Sequence, residues 1–168
     1  MMSEKNPKAA VIMGSDSDLP VVKKTIDVLK SFGVEFEVNV MSAHRTPDRA
    51  MEYAKNAESN GFEVIIAAAG KAAHLPGVLA AFTTLPVIGI PIKSSTMDGL
   101  DSLLSIVQMP SGIPVATVAV DGAENAGLLA VQILSVKYEA LRDKLKAHKE
   151  KMKQDVIKKD QKIKEEVF

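Results

Sequence analysis

The sequence predicts an α/β fold with three layers, in which a doubly wound parallel sheet of about five strands lies between helices on both faces. Two observations support this prediction. Short apolar runs of strand length alternate with segments whose apolar residues recur at helical spacing, and glycine, proline or polar residues follow the runs. The chain of 168 residues, 46% of them hydrophobic, suffices for one core. We expect an α/β catalytic domain over residues 1–136 and a C-terminal helical extension over residues 137–168.

The first part of the chain carries the signals of two strands and two helices. Residues 9–13 form an apolar run closed by a glycine, as in a buried strand. Apolar spacing predicts a helix over residues 19–32. Residues 34–40 alternate between apolar and polar side chains, which predicts a strand with one wetter face. Thr46 as N-cap and Pro47 at the first helical position predict a second helix that ends near residue 60.

The middle of the chain repeats this alternation. Residues 64–69 predict a fully buried third strand, and residues 72–84 a helix with a proline near its start. A fourth strand is predicted over residues 86–90, a short helix over residues 98–108, and a fifth strand over residues 114–120. The rest of the chain lacks proline and is predicted to be helical almost to its end.

Composition and charge exclude several classes of protein. The chain has 21 basic and 21 acidic side chains, which argues against nucleic-acid and polybasic membrane partners. Cysteine is absent and there are three scattered histidines, so neither a disulfide nor a metal site is predicted. The polar residues 1–7 lack the apolar core of a signal peptide, and no apolar run reaches the length of a membrane helix. We therefore expect a cytoplasmic protein.

The tail differs from the body in charge. Residues 1–136 contain 10 basic and 14 acidic side chains, whereas residues 137–168 contain 11 basic and 7 acidic ones. This pattern fits either a solvated helix or a nucleic-acid arm, and the mixed signs favour the helix. An apolar stripe at steps of three and four residues runs from Leu134 to Met152. The stripe must either fold back on the sheet after a break near residues 135–138 or pack on a neighbouring subunit, and we expect the neighbour.

The loops that follow the strands carry the candidate functional residues, because ligands of doubly wound sheets bind at the carboxyl ends of the strands. After the first strand, a glycine turn and Ser15 and Ser17 precede a helix, where free N–H groups and hydroxyls suit a phosphate. Asp18 has the wrong sign for phosphate but suits a ribose diol. Simple helix capping is the alternative explanation of the same residues.

The loop after the second strand places His44 beside Arg45. An arginine binds phosphate or carboxylate through two parallel hydrogen bonds, and a histidine titrates near neutrality and moves protons. Ser42 is a further candidate on the phosphate side. After the third strand, His74 lies in an alanine-rich segment, where a structural histidine is the more common interpretation.

Four motifs together resemble the PurE family of purine biosynthesis. They are residues 13–18 (MGSDSD), 42–47 (SAHRTP), 72–77 (AAHLPG) and 105–114 (SIVQMPSGIP). The resemblance covers roughly residues 8–135, and the HLPG sequence is similar to class I, the N5-carboxyaminoimidazole ribonucleotide mutases. It implies transfer of a carboxylate from N5 to C4 of the imidazole ribonucleotide, without a metal or organic cofactor. It also implies a homo-octamer, in which residues 109–114 are a candidate loop donated to a neighbouring site.

The resemblance also implies roles for individual residues. Ser15, Asp18 and Arg45 would bind the ribonucleotide, and His44 would act as the acid–base group. His74 would shape a carbon-dioxide pocket with other residues of its loop, namely Gly70, Lys71, Ala72 and Leu75. The class I loop usually reads AGGAAH, whereas this chain has AGKAAH, so that Lys71 occupies a glycine position.

Two other functions are compatible with the residues. One is a carboxylase that uses free carbon dioxide with aminoimidazole ribonucleotide. The other is a flavodoxin-like module that binds a nucleotide without turning it over. A binding module needs phosphate and ribose contacts but no proton shuttle, so the part played by His44 distinguishes it from an enzyme.

Overall fold

The computed structural model describes residues 6–167 and confirms the predicted α/β fold, with five parallel strands in the order β2-β1-β3-β4-β5. The N-terminal residues 1–5, for which the sequence predicts no signal peptide, and Phe168 lie outside the described residues. The elements are β1 Lys8–Met13, α1 Leu19–Phe32, β2 Glu35–Val40, α2 Pro47–Asn56, β3 Val64–Gly70, α3 Leu75–Ala80, β4 Val87–Ile92, α4 Leu100–Val107, β5 Ala116–Thr117, α5 Ala123–Leu134 and α6 Glu139–Val167.

The sheet places its most apolar strands at the centre. β1, β3 and β4 are buried on both faces, as their continuous apolar sequences predict. β2 forms one edge, where Val38 and Val40 are exposed despite the alternation of their strand. Because β1 pairs with β2 on one side and with β3 on the other, the strand order reverses next to β1. A crevice is expected beyond the carboxyl end of the strands at that point.

Helices cover both faces of the sheet. α1 and α5 lie on one face with the start of α6, and α2, α3 and α4 lie on the other. α1 and α5 approach closely because Gly127 lacks a side chain: a Cβ there would lie 2.9 Å from Cβ of Val28. In the same contact, the buried Thr25 hydroxyl donates a hydrogen bond to the carbonyl of Ala123 at 2.6 Å. The two layers fix the strands and hence the loops at their ends.

Several element boundaries differ from the sequence-based prediction. α2 ends at Asn56 rather than near residue 60, because the chain turns over residues 57–61. α3 is shorter than residues 72–84 and begins at Leu75 with Pro76 in its first turn, so the two preceding alanines belong to the loop. β5 has two residues instead of seven, because Ala116 and Thr117 are the residues of this edge segment that pair with β4.

The chain breaks between α5 and α6 at residues 135–138, as the alternative of folding back requires, and the first part of the tail packs on the chain's own domain and not on the neighbour that we expected for it. Leu141 is buried in the core cluster, and Tyr138 and Leu145 pack against it. The ammonium of Lys144 donates a hydrogen bond to the carbonyl of Phe32 at 2.7 Å. Beyond His148 every described residue is exposed. Within residues 6–167, no helix is both long enough and apolar enough to cross a membrane.

Candidate active site

A cavity of about 620 Å³ lies at the carboxyl end of the sheet, where the strand order reverses. Loops that follow β1, β2, β3 and β4 line it. The structure brings every predicted site residue to this cavity: Ser15, Ser17, Asp18, Ser42, His44, Arg45, Gly70, Lys71, Ala72, His74 and Leu75. The rule that ligands bind at the carboxyl ends of the strands therefore located the cavity correctly from sequence.

The loop after β1 forms a 3₁₀ turn over Asp16–Asp18 that leads directly into α1. Ser15 caps this turn: its hydroxyl accepts the N–H of Ser17 at 3.3 Å, and its own N–H donates to the carboxylate of Asp18 at 3.2 Å. Burial raises the pKa of Asp18; the N–H of Ser15 opposes this effect, and the carboxylates of Asp16 and Asp121 add to it. The capping role predicted as an alternative is thus present, on residues that also line the cavity.

The loop after β2 is folded by hydroxyl groups. The hydroxyl of Ser42 accepts the N–H groups of His44 and Arg45 at 3.3 and 3.1 Å. Thr46 stands at the N-cap position of α2, but its hydroxyl bonds to the backbone of Ser42 instead of capping the helix. Ser42 still has its hydroxyl hydrogen to donate to a ligand. Among residues 6–167, the guanidinium of Arg45 has no ion-pair partner.

His44 and His74 form a hydrogen-bonded pair. Nε2 of His44 lies 2.8 Å from Nδ1 of His74, and the two rings meet edge to face with centroids 4.9 Å apart. One ring supplies the N–H and the other the lone pair. β1 separates β2 from β3, so the contact between the two loops spans the end of β1. The sequence placed both histidines in loops at the strand ends but gave no sign that they touch.

The rest of the loop after β3 combines a strained residue with an apolar wall. Lys71 has a φ of 57°, in the left-handed region that residues with a Cβ rarely adopt. Its side chain is exposed. Ala69 and Leu75 are buried and line the cavity on the same side. A cation therefore lies on a loop whose neighbouring surface is apolar.

The loop after β4 supplies functional candidates that sequence reasoning did not name. Ile92, Lys93, Ser94 and Ser95 line the cavity. The buried Ser94 hydroxyl donates to the carboxylate of Asp101 at 2.8 Å, which ties the loop to α4. The position of residues 91–96 directly after a central strand was the available signal, but their types did not distinguish them from an ordinary polar loop.

Fold and cavity together define a doubly wound α/β protein with a cleft lined by serine hydroxyls, basic side chains and a histidine pair at the switch in strand order. The family model described as AIR carboxylase matches residues 8–155. The chain belongs to that family.

Named relatives match most of the chain. The N5-carboxyaminoimidazole ribonucleotide mutase of Thermotoga maritima is 59% identical over 157 residues, which cover 94% of this chain and 92% of the relative. The chloroplastic phosphoribosylaminoimidazole carboxylase of Vigna aconitifolia is 55% identical over 90% of this chain, but the match covers 27% of that longer protein. The crystal structure of Treponema denticola PurE is 32% identical, with a TM-score of 0.85 over 94% of this chain and 98% of that one.

Proposed function

We propose that this protein is an N5-carboxyaminoimidazole ribonucleotide mutase of purine biosynthesis, which moves a carboxylate from N5 to C4 of its substrate. The observation that carries the proposal is the hydrogen-bonded pair of His44 and His74 in one cavity with the serine turns and Arg45. A relative named for this activity is 59% identical over nearly its whole length.

The anion-binding groups would hold the phosphoribosyl part of the substrate. Ser15, Ser17 and Ser42 contribute hydroxyl groups, and Arg45 contributes a guanidinium that has no ion-pair partner among residues 6–167. Together these groups suit a phosphate. The Asp18 carboxylate, held by the N–H of Ser15, suits the ribose hydroxyls. These contacts fix the imidazole ring without taking part in the chemistry.

The histidine pair would move the proton that the reaction needs. Cleavage of the N5–carboxylate bond releases carbon dioxide and leaves the electron pair on N5, which takes a proton from His44. C4 then attacks the carbon dioxide, and the C4 proton returns to His44, so that protons balance over the cycle. The 2.8 Å contact with His74 orients the His44 ring and couples the tautomers of the two rings, because one of the two contacting nitrogens must carry the hydrogen and the other the lone pair.

Carbon dioxide must stay next to C4 between the two steps. The loop after β3 offers Gly70, Ala72 and Leu75 as a small, largely apolar wall, and His74 closes one side of it. Such a wall excludes water and limits hydration of the gas. No metal or organic cofactor enters this scheme.

A carboxylase that uses free carbon dioxide is the second candidate: the family model and a longer relative are named carboxylases, although the match covers 27% of that relative. A nucleotide-binding module without turnover is the third. The purified protein should be incubated separately with N5-carboxyaminoimidazole ribonucleotide and with aminoimidazole ribonucleotide plus bicarbonate, and product formation followed by absorbance. The proposal predicts turnover of the first substrate at low bicarbonate. Turnover confined to the second would support the carboxylase, and binding without turnover would support the module.

Assembly as a homo-octamer belongs to the same proposal. Met97, three residues before α4, and three residues of α4 present an apolar ridge that a neighbouring subunit would cover; the helical residues are Leu100, Leu104 and Val107, and all four are about half exposed. The exposed loop over residues 109–114 and the part of α6 after His148 are further candidate contacts, and the tail over residues 137–168 would clasp the neighbour through that part. A cytoplasmic location stays a prediction from sequence.

Light scattering tests the assembly. The full-length chain should form octamers, and a chain shortened after His148 should form smaller species, since the packed first part of α6 is kept while its exposed part is lost. A full-length monomer that is fully active at nanomolar concentration would contradict both the octamer and any site completed by a neighbouring subunit.

A further inference from the structure

Lys71 is a basic residue that lines the cavity, and its backbone has a conformation that glycine adopts more easily than lysine. It directly follows β3 and has a φ of 57°. The other two residues with a side chain and a positive φ among residues 6–167, Asp98 and Asp121, also lie in loops at the carboxyl end of the sheet. Strained backbone of this kind clusters at ligand sites.

The charges around the cavity are incompletely paired. Among the cavity-lining residues that the structure describes, Asp18 is the acidic one, and the basic ones are Arg45, Lys71 and Lys93. Lys93 forms an ion pair with Asp98 at 3.3 Å. Within residues 6–167, neither Arg45 nor Lys71 has a carboxylate within 4.0 Å. Two unpaired cations at one cavity match a ligand with two separate anionic groups.

We propose that Lys71 binds the carboxylate of the ribonucleotide and makes the site select carboxylated ligands over decarboxylated ones; this rests on the function proposed above. The phosphate occupies the loops after β1 and β2, where the serine turns and Arg45 lie. Lys71 lies on the loop after β3, three positions before His74, which contacts His44. Lys71 therefore belongs to the loop on the side of the cavity where the carboxylate leaves and returns.

Electrostatics predicts how this selection acts. Substrate and product both carry a carboxylate, so an ammonium beside it favours both over the decarboxylated ribonucleotide. Loss of the ammonium should raise KM for both carboxylated ligands. Because Lys71 is exposed, the attraction is weak and screened by salt.

Calorimetry with two probes tests the proposal. The probes are 4-carboxy-5-aminoimidazole ribonucleotide and 5-aminoimidazole ribonucleotide, which differ in the carboxylate. Lys71→Met keeps a long side chain, and it keeps a residue with a Cβ at this positive φ, so the backbone preference of the position changes little. It removes the charge. We expect it to weaken binding of the carboxylated probe about fivefold, the upper end for an exposed ion pair, and to leave the other probe unchanged. Lys71→Arg should restore most of the affinity.

Lys24→Met is the control, because Lys24 is an exposed lysine on α1 outside the cavity and its loss changes the net charge equally. It should leave both affinities unchanged. If Lys71→Met weakens both probes equally or neither, the role of Lys71 is wrong while the proposed function stands. If the unaltered protein binds neither probe, the proposed function is wrong and the role of Lys71 with it.

Discussion

Replacing Gly89 by alanine tests the packing that holds β4, and hence the loop that follows it, at the cavity. Gly89 lies in the middle of β4, directly under α4. A Cβ at this position would lie 2.4 Å from Cγ2 of Ile106 and 3.0 Å from Cγ1 of Val115. Ile106 is fully buried, so its side chain has no free space into which to turn.

The size of the effect follows from these distances. Carbon atoms in contact are about 3.5–4.0 Å apart, so α4 must move away from the sheet by about 1 Å or more. Overpacking of this kind costs about 2 kcal/mol. For a chain of 168 residues this lowers the Tm by about 4–8 °C, which circular dichroism measures on thermal unfolding at one fixed protein concentration.

A double-mutant cycle supplies the control. Ile106→Ala alone should cost about 2–4 kcal/mol through the void it leaves. In the double variant the added methyl group fills part of that void, so the combined loss should be smaller than the sum by about 1 kcal/mol or more. Additive losses, or a Gly89→Ala variant as stable as the unaltered protein, would show that β4 and α4 are not packed as described.

Three further predictions concern the cavity. His44→Asn should lower turnover by about 10²-fold or more while substrate affinity is kept, and near-normal turnover would remove His44 from the mechanism. Arg45→Lys keeps the charge but loses the paired hydrogen bonds, so calorimetry should show about tenfold weaker ribonucleotide binding with the fold intact; unchanged affinity would contradict its role. Burial raises the pKa of Asp18 in the folded chain, so folding stability falls as pH rises from about 3.9 through that pKa. Asp18→Asn should therefore raise the Tm at pH 7 but hardly at pH 3, and an equal gain at both would refute the burial argument.

Much of the fold was predictable because local signals and burial agree. α1 begins and ends at the predicted residues, since Gly33, with a φ of 74°, ends it in the left-handed conformation that glycine favours. The central strands come from uninterrupted apolar runs, and a strand covered by helices on both faces of its sheet buries such a run completely. The edges were less predictable: Val38 looks like a core residue in sequence, but it lies on the edge strand β2 and is 37% exposed.

The candidate site was predictable in its position but not in its contacts. The strand-end rule selected all the loops that line the cavity, including the one after β4, in which no residue was singled out. The contact between His44 and His74 depends on the strand order, because β1 lies between the strands that carry their two loops. The positive φ of Lys71 was signalled by the family resemblance, which has glycine at this position, and not by the lysine itself.

The origin of the transferred carboxylate tests the central claim most directly. N5-carboxyaminoimidazole ribonucleotide would be converted in the presence of ¹³C-bicarbonate, and the label in the C4 carboxylate of the product measured by mass spectrometry at early times. A mutase that keeps carbon dioxide in the cavity predicts an unlabelled product. Incorporation of the label to the level of the free bicarbonate would show that carbon dioxide comes from solution, and would contradict the account.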